Sequence, residues 1–300
     1  MFVKPAVFVV IPALIAGCFL GVGQSVRADQ VFGVTASQSL VNWDSATPGT
    51  VSAGVAITGL QVNEQIVGID FRPLDGLLYG VGNQNRFYRI NTNTGAATQI
   101  GANFPTSLVG SLFGFDFNPT IDRSRIDSDA DKNYVINPST GGQTVATDLF
   151  YQAGDANFGA NPNVVHIGYN NNFSGALTSQ LYGIDSGLDI LVTQANSAGT
   201  LGTVGSLGLN ISGIGGFDIS STSTIAFGAF QLEGNPLSNF YQINLANGST
   251  TSIGQIGGGQ AITAIAVAIP EPSSLMITGM SLLSCLLVRR KRHFSGQLAR

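Results

Sequence analysis

Short runs of alternating apolar and polar residues recur along the chain with one shared pattern: glycine, a bulky apolar residue, aspartate and a second bulky apolar residue. Three copies match closely: VGIDFRP at Val67, FGFDFNP at Phe113 and GGFDIS at Gly215. Two copies are degenerate, with Asn170 in the aspartate's place in IGYNN and Ala266 in that place in TAIAVA. Successive copies lie about 48 residues apart, a spacing typical of repeated supersecondary units.

Further apolar runs follow these copies in a fixed order. The first is an aromatic-Gly-apolar run, in LLYGVG, QLYGID, TIAFGAF and QVFGVT. The second is an aromatic run that ends in Ile-Asn and a glycine turn, in FYRINTNTG, NYVINPSTG and FYQINLANG. The third is rich in Thr, Gly and Ile, in AATQIG, QTVATD and STTSIG. Turn residues separate the runs, so each repeat predicts four short strands.

Four strands per repeat predict an all-β fold: a single β-propeller of about five four-stranded blades. Strands of the second to fourth kind, within residues 30–60, precede the first complete repeat, and a strand of the first kind, within 262–268, follows the last. We therefore expect both chain ends to close the terminal blade together, which removes free sheet edges. A β-sandwich or an irregular β-solenoid is the alternative.

The N-terminal residues differ from the repeats. Lys4 precedes an apolar stretch over residues 6–22, and small residues lead up to Ala28. This pattern predicts a signal peptide cleaved by signal peptidase after Ala28. Lipid attachment at Cys18 and a permanent membrane anchor are the alternatives. The sequence thus divides into a signal peptide (1–28), a β-propeller-like repeat domain (29–268) and a C-terminal segment (269–300).

The C-terminal segment has three parts. They are Pro270-Glu271-Pro272, an uncharged apolar run over residues 273–288, and the cations Arg289, Arg290, Lys291 and Arg292. Sixteen residues of helix extend about 24 Å, slightly less than a hydrocarbon core of about 30 Å. We therefore expect a short transmembrane helix that contacts the membrane transiently or spans it with local thinning. Its cations would stay on the cytoplasmic side.

This arrangement resembles the PEP-CTERM sorting signal of Gram-negative bacteria. The resemblance implies recognition and cleavage by an exosortase, and a final place in the cell envelope, at the outer surface or outside the cell. Such bacteria often make exopolysaccharide. An ordinary C-terminal membrane anchor is the alternative. We therefore expect an exported protein whose partners during export are signal peptidase and exosortase.

Composition narrows the chemistry of the repeat domain. The cysteines of the sequence, Cys18 and Cys285, both lie in the terminal segments, so residues 29–268 can form no disulfide and no cysteine metal site. Within residues 29–268, six Lys and Arg stand against sixteen Asp and Glu, a net charge of −10. So acidic a domain argues against nucleic acid as a partner and would attract divalent cations.

The repeat domain resembles an uncharacterised bacterial domain family that often occurs with secretion and sorting signals. The stretches FGFDFNPTIDRSR, YQAGDANFGANPNVV and LYGIDSGLDILVTQ carry the resemblance. It implies one domain over nearly all of the repeat region and no particular activity.

One candidate site comes from the repeat itself. Asp70, Asp116, Asn170 and Asp218 take the same place in four copies. First strands line a propeller's axis, so these side chains would form a ring of oxygens suited to a hard cation or a hydroxyl-rich ligand. The alternative is that each aspartate accepts hydrogen bonds from backbone N–H groups and ties neighbouring blades together.

A second candidate site is the stretch DSDADKN, where Asp127, Asp129 and Asp131 alternate as the ligands of calcium loops do. Lys132 stands where an EF-hand has glycine and Pro138 where it has glutamate, which excludes an EF-hand. A weak surface Ca²⁺ site remains, with a solvated acidic hairpin as the alternative. The sequence indicates no other cofactor.

Catalytic signals are weak. His166 is the single histidine of residues 29–268, and the sequence has no Gly-x-Ser-x-Gly elbow. We interpret His166 as a core or inter-blade residue and expect no catalytic residue. The leading hypothesis is a non-catalytic cell-envelope or matrix protein that binds exopolysaccharide. The alternatives are a glycan-active hydrolase or lyase that uses paired carboxylates, and a calcium-dependent adhesin.

Overall fold

Five small sheets stand around a common axis in the computed structural model, which describes residues 28–259 and 261–269. From the axis outwards, blade 1 contains β4 (Ile66–Phe71), β5 (Leu78–Gly82), β6 (Arg86–Ile90) and β7 (Ala97–Gln99). Blade 2 contains β8 (Phe113–Asn118), β9 (Arg123–Ser128), β10 (Asn133–Ile136) and β11 (Gln143–Val145). Blade 3 contains β13 (Val164–Tyr169), β14 (Leu181–Asp185), β15 (Ile190–Gln194) and β16 (Thr200–Ser206), with β12 (Phe150–Tyr151) added in parallel to β16.

The remaining two sheets complete the ring. Blade 4 contains β17 (Ile211–Ile219), β18 (Ala226–Leu232), β19 (Ser238–Ile243) and β20 (Thr250–Gln255). Blade 5 contains β21 (Ile262–Val267), β1 (Gln30–Thr35), β2 (Ser39–Asp44) and β3 (Val55–Ala56). Among the residues that the structure describes, two short 3₁₀ helices lie in connections, at Asn196–Ala198 and Gly257–Gly259.

This architecture confirms the predicted five-bladed β-propeller. The inner strands contact one another in the order β4, β8, β13, β17, β21 and again β4. Blade 5 joins the two ends of the described chain, because β21 pairs antiparallel with β1 and places Val267 opposite Val31. The N–H of Ala268 donates to the carbonyl of Gln30 at 2.8 Å. Each inner strand pairs with the second strand of its own blade and contacts the inner strands of the two neighbouring blades. This closed ring excludes the sandwich and solenoid alternatives.

Apolar side chains between consecutive blades form the core. Between blades 1 and 2, Tyr79 and Phe87 pack on Phe115 and Phe117, and the rings of Tyr79 and Phe117 meet edge to face at 5.4 Å. Equivalent clusters lie between blades 3 and 4, blades 4 and 5, and blades 5 and 1, whereas the fifth cluster lies within blade 3. The aromatic-Gly-apolar pattern of the sequence therefore supplies the side chains that join one blade to the next.

The glycine of the repeat is needed because the inner strands approach closely. A Cβ on Gly68 would lie 2.5 Å from Cβ of Phe115, and a Cβ on Gly216 would lie 2.4 Å from the backbone nitrogen of Ile265. Neither contact can be relieved by rotating a flexible side chain. The backbones of neighbouring inner strands therefore set the diameter of the axis.

The axis has two distinct ends. All inner strands begin at one end, which we call the mouth end, and finish at the other, which we call the exit end. Because the strands of a blade are antiparallel, the loops between first and second strands lie at the exit end, and those between second and third strands lie at the mouth end.

The predicted terminal segments fall largely outside the described residues. Residues 1–27 of the signal peptide, the motif Pro270-Glu271-Pro272, the apolar run 273–288 and the four cations are among them. Ala28, the predicted cleavage site, is the first described residue. Within residues 28–259 and 261–269, no helix is long and apolar enough to cross a membrane.

Replacing Gly216 by alanine should destabilise the propeller, because the new methyl group would overlap the backbone of β21. Overpacking of this kind costs about 1–3 kcal/mol, and a domain of this size loses about 2–4 °C in Tm for each kcal/mol. Gly49→Ala is the matched control, since its Cβ would approach no described atom closer than 4.0 Å. Calorimetry that finds equal Tm values for the two variants would contradict the tight axial packing.

Candidate functional site

Three aspartates meet at the axis near the exit end. Asp70 of β4, Asp116 of β8 and Asp218 of β17 each place one carboxylate oxygen within 4.8 Å of the others. Their exposed fractions are 1%, 0% and 1%. In the part of the chain that the structure describes, no other group of three or more acidic, histidine or cysteine side chains converges in this way.

Each inner strand directs one backbone N–H towards this cluster, and every one of the five is bonded by an aspartate. Asp70 accepts from Phe71 at 2.7 Å and from Phe117 of blade 2 at 2.8 Å. Asp116 accepts from Tyr169 of blade 3 at 3.2 Å. Asp218 accepts from Ile219 and from Val267 of blade 5, both at 2.5 Å. The carboxylates therefore bridge blades 1 to 2, 2 to 3 and 4 to 5.

Five N–H groups occupy five of the six carboxylate oxygens. The sixth, Oδ2 of Asp116, is buried and receives no hydrogen bond from a described N–H or O–H donor. Burial raises the pKa of Asp116 well above 3.8, and the negative charges of Asp70 and Asp218 raise it further. A proton on this oxygen would be shared with Asp218, the acceptor beside it.

The other two aspartates also favour their protonated forms. Burial raises the pKa of Asp70 well above 3.8, and the charge of Asp218 adds to this, while its two backbone hydrogen bonds oppose it. Burial likewise raises the pKa of Asp218, and again its backbone hydrogen bonds oppose the shift. Three buried carboxyls so close together cannot all be ionised without a counter-ion, so the cluster holds protons or a cation.

The prediction that Asn170 is the fourth member of this ring is wrong. Asn170 follows β13, and its side-chain oxygen accepts from the N–H of Gln180 at 2.7 Å. Tyr169 donates to the cluster as Phe117 does, so Gly168 occupies the aspartate's place in blade 3. In that copy His166 stands in the place of the pattern's glycine. Matching the glycine to Gly168 instead moves the predicted aspartate position two residues along the chain, to Asn170. Ala266 stands in the aspartate's place in blade 5, as the sequence indicated.

The predicted calcium loop does not converge. The side chain of Asp127 is fully buried, with 0% exposure. Asp129 is instead directed towards Ser111, whose backbone N–H donates to Oδ1 of Asp129 at 2.7 Å. Asp131 has a left-handed backbone, φ 61°, in the turn between β9 and β10. Alternation along an ideal strand would bring the three carboxylates to one side, but this turn sends them in different directions.

Asp127 belongs instead to a polar seam between blades 2 and 3 that the sequence reasoning missed. Arg125, opposite Asp116, takes a place that is aromatic in the other blades, namely Tyr79, Tyr182, Phe227 and Phe32. Nε of Arg125 donates to the hydroxyl of Tyr169 at 3.0 Å, and a second nitrogen donates to Asn133. The absence of the aromatic-Gly-apolar run from one repeat was the available signal.

Burial raises the pKa of Asp127 to about 7, while the nearby charge of Arg125 and the amide of Gln194 act in the opposite direction. Gln194 of blade 3 stands where the equivalent strands carry apolar residues, Ile90, Ile136, Ile243 and Trp43. The seam thus replaces apolar packing on both facing blades. Arg125 bonds Tyr169 and Asn133, whereas both carboxylate oxygens of Asp127 and both side-chain amide atoms of Gln194 are buried without a hydrogen-bond partner among the described residues. The seam is closed to solvent, which makes it part of the framework and not an open site.

A cavity of about 350 Å³ opens at the mouth end. Its lining combines uncharged polar groups with apolar ones, including Gln38, Gln65, Ser111, Thr263, Phe113 and Ile214. Below it the axis narrows to a throat of about 10 Å³ between the glycines of the inner strands, about the space of one water molecule. The mouth cavity therefore ends blindly above the aspartates.

His166 lies where the mouth cavity meets the throat. It is 4% exposed, and its ring packs 5.4 Å from that of Phe230. Burial lowers its pKa to about 3, so the imidazole is neutral at physiological pH. This agrees with the interpretation of a buried inter-blade histidine.

Glycoside hydrolysis would need two carboxylates about 5–10 Å apart in a cleft open to substrate. The three clustered aspartates are closer together and almost wholly buried. Their geometry matches the alternative in which the aspartates tie blades together through backbone N–H groups. The aspartate cluster therefore holds the blades together at the axis.

The aspartate cluster predicts a pH-dependent effect of Asp116→Asn. Carboxyls with raised pKa bind protons more tightly when folded, so their contribution is complete below about pH 4 and is lost as the pH rises towards the folded pKa. An amide mimics protonated Asp116. The variant should therefore gain stability over the wild type by up to about 1.4 kcal/mol per pH unit above pH 4, measured by urea unfolding from pH 4 to 8.

The contribution of His166 to stability has the opposite pH dependence, because burial favours its neutral form and the fold is destabilised as the pH falls. It is present in both proteins and cancels from their difference. Asp218→Asn is the contrasting variant, because both its oxygens accept N–H bonds and an amide nitrogen would leave one N–H unsatisfied. At pH 5 this variant should lose about 1–3 kcal/mol. Equal behaviour of the two variants would contradict the bonding scheme.

Comparison with known proteins agrees with the repeat-domain assignment. A family model described as a domain of unknown function, DUF4394, matches residues 39–266. No curated protein matches the chain. One similar solved structure is a chain of the crystal structure of a nidogen/laminin complex, with 13% identity, 81% of this chain and 98% of that chain covered, and a TM-score of 0.48. The family match spans most of the propeller, and the protein belongs to the DUF4394 family.

Proposed function

We propose that this protein is an exported, non-catalytic binding protein of the Gram-negative cell envelope or extracellular matrix. Its ligand is a neutral, hydroxyl-rich glycan segment, of the kind that exopolysaccharide supplies. The single observation that carries the proposal is the mouth cavity, which is uncharged in an acidic domain. The sequence of the two terminal segments supports export and sorting by exosortase.

The lining of the mouth cavity suits a sugar. Gln65 and Ser111 are exposed at its rim and offer hydrogen bonds to hydroxyl groups, while Phe113 and Ile214 offer apolar surface to the C–H faces of a ring. A volume of about 350 Å³ lies in the range of small-ligand sites. A charged ligand would find no opposite charge there, since no Lys, Arg, Asp or Glu lines this cavity.

The bonding of the aspartates supports a binding role over a catalytic one. Their oxygens hold the blades together, and the throat of about 10 Å³ separates them from the mouth cavity. A ligand at the mouth would meet neutral His166 at the base of the cavity and no accessible acid–base pair. Such a site can hold a glycan without cleaving it.

Co-sedimentation with the exopolysaccharide of the producing bacterium tests the proposal. Residues 29–268, which contain all five blades, should be retained equally with calcium and with chelator. Ser111→Trp should abolish retention, because the indole would fill the cavity from an exposed position. Thr251→Trp is the matched control, because Thr251 is also exposed but lies on the outer strand of blade 4. The protein with this substitution should still sediment with the polysaccharide.

Loss of retention in both tryptophan variants, or in neither, would rule out the mouth as the binding site. Retention that needs calcium would favour an adhesin and a cation at the acidic groups. If no sample is retained, glycan binding is wrong.

A further inference from the structure

Both ends of the described chain leave the propeller on the same side. β21 runs towards the exit end and finishes at Val267, and β1, its antiparallel partner, starts there at Gln30. The hydrogen bond from Ala268 to Gln30 holds the two ends together. Any segment that continues from either end therefore starts from the exit end.

The sequence beyond each end is apolar. Residues 6–22 and 273–288 carry no charged side chain, and the second run is followed by four cations. Ile269 is separated from Ser273 by three residues, which span at most about 14 Å in full extension. A bilayer's polar region is only about 5–7 Å deep on each side. An inserted segment 273–288 would therefore hold the exit end at the membrane surface.

The exit end presents apolar side chains on three consecutive blades. The loop after β4 exposes Leu74 by 59%, the loop after β8 exposes Ile121 by 59%, and the loop after β13 exposes Leu177 by 95%. Leu77 and Phe173, in the first and third of these loops, are also exposed. Arg72 links the first two loops, since its guanidinium bonds the carboxylate of Asp122. The three loop tips therefore lie on the same end of three consecutive blades, and an ion pair joins the first two.

Among the described residues, the mouth end carries more acidic side chains without a cationic partner than the exit end does, which favours the exit end as the side that approaches anionic lipid. The acids in the first-to-second-strand loops, Asp75 and Asp122, are both paired with Arg72. Asp29, before β1, and Asp44, at the end of β2, also lie at the exit end, and Asp29 is buried. At the mouth end, the second-to-third-strand loops carry Asp129, Asp131, Asp189 and Glu233, while Glu64 before β4 is buried and paired with Arg86. Anionic lipid headgroups would repel the mouth end more strongly than the exit end.

We propose that the exit end of the propeller is a membrane-facing surface, and that Leu74, Ile121, Phe173 and Leu177 enter the interfacial region of a bilayer while segment 273–288 is inserted. This inference rests on the proposed sorting tail and adds an orientation to it. The mouth cavity then points away from the membrane, towards the extracellular polymer.

Depth-dependent fluorescence quenching tests the orientation. Residues 29–300, the chain that remains after the predicted cleavage, with Cys285→Ser, are reconstituted into vesicles of phosphatidylethanolamine and phosphatidylglycerol and isolated by flotation. A fluorophore at Leu177→Cys should be quenched several-fold more by spin-labelled lipid than one at Val62→Cys. Val62 is the matched control, since it is 84% exposed and precedes β4 at the mouth end. Both positions are surface loops, so neither change should disturb folding.

The outcomes separate the two proposals. A chain that floats with the vesicles, with quenching confined to position 177, supports both. Flotation with equal quenching at positions 177 and 62 leaves the membrane segment in place and overturns the orientation. A chain that does not float overturns the orientation and also the proposed insertion of residues 273–288.

Discussion

The propeller depends on the matching of five backbone N–H groups at its axis with three carboxyl groups. Each inner strand brings one N–H to the same level, away from water, where an unbonded donor would be costly. One carboxylate can accept from its own strand and from the next blade, as Asp70 and Asp218 do. With one N–H on each bonded oxygen, the five donors occupy five of the six oxygens of the three aspartates.

An odd number of blades leaves one oxygen over. Asp116 accepts a single N–H, and its second oxygen faces Asp218. Further aspartates in place of Gly168 or Ala266 would add buried charge without adding an N–H to bond. The degenerate copies of the repeat are therefore explained by charge: these two blades lack the acid because their neighbours' acids already bond the donors. Burial raises the pKa of Asp116, the charges of Asp70 and Asp218 raise it further, and a single backbone hydrogen bond opposes the shift.

Much of this fold could be predicted from the spacing of the repeated strand pattern, because five repeats of four strands can close into few arrangements. The convergence of Asp70, Asp116 and Asp218 follows from the same repeat. The place of Asn170 could not be found this way, since His166 in the glycine's place made the shifted alignment look better. The polar seam of Arg125 and Asp127 depends on which face of a sheet meets which blade. Period-2 alternation gives two faces but does not identify their neighbours.

The axis also separates the two ends of the molecule chemically. Inner-strand backbones close the throat, and the bonded aspartates lie beyond it, so the mouth cavity has one entrance. A ligand there cannot reach the exit end, and the segments that leave the exit end cannot reach the ligand. The closing pair β1 and β21 puts both terminal segments on the exit side. A ring closed by its own ends therefore leaves the mouth free for binding, whatever the terminal segments attach to.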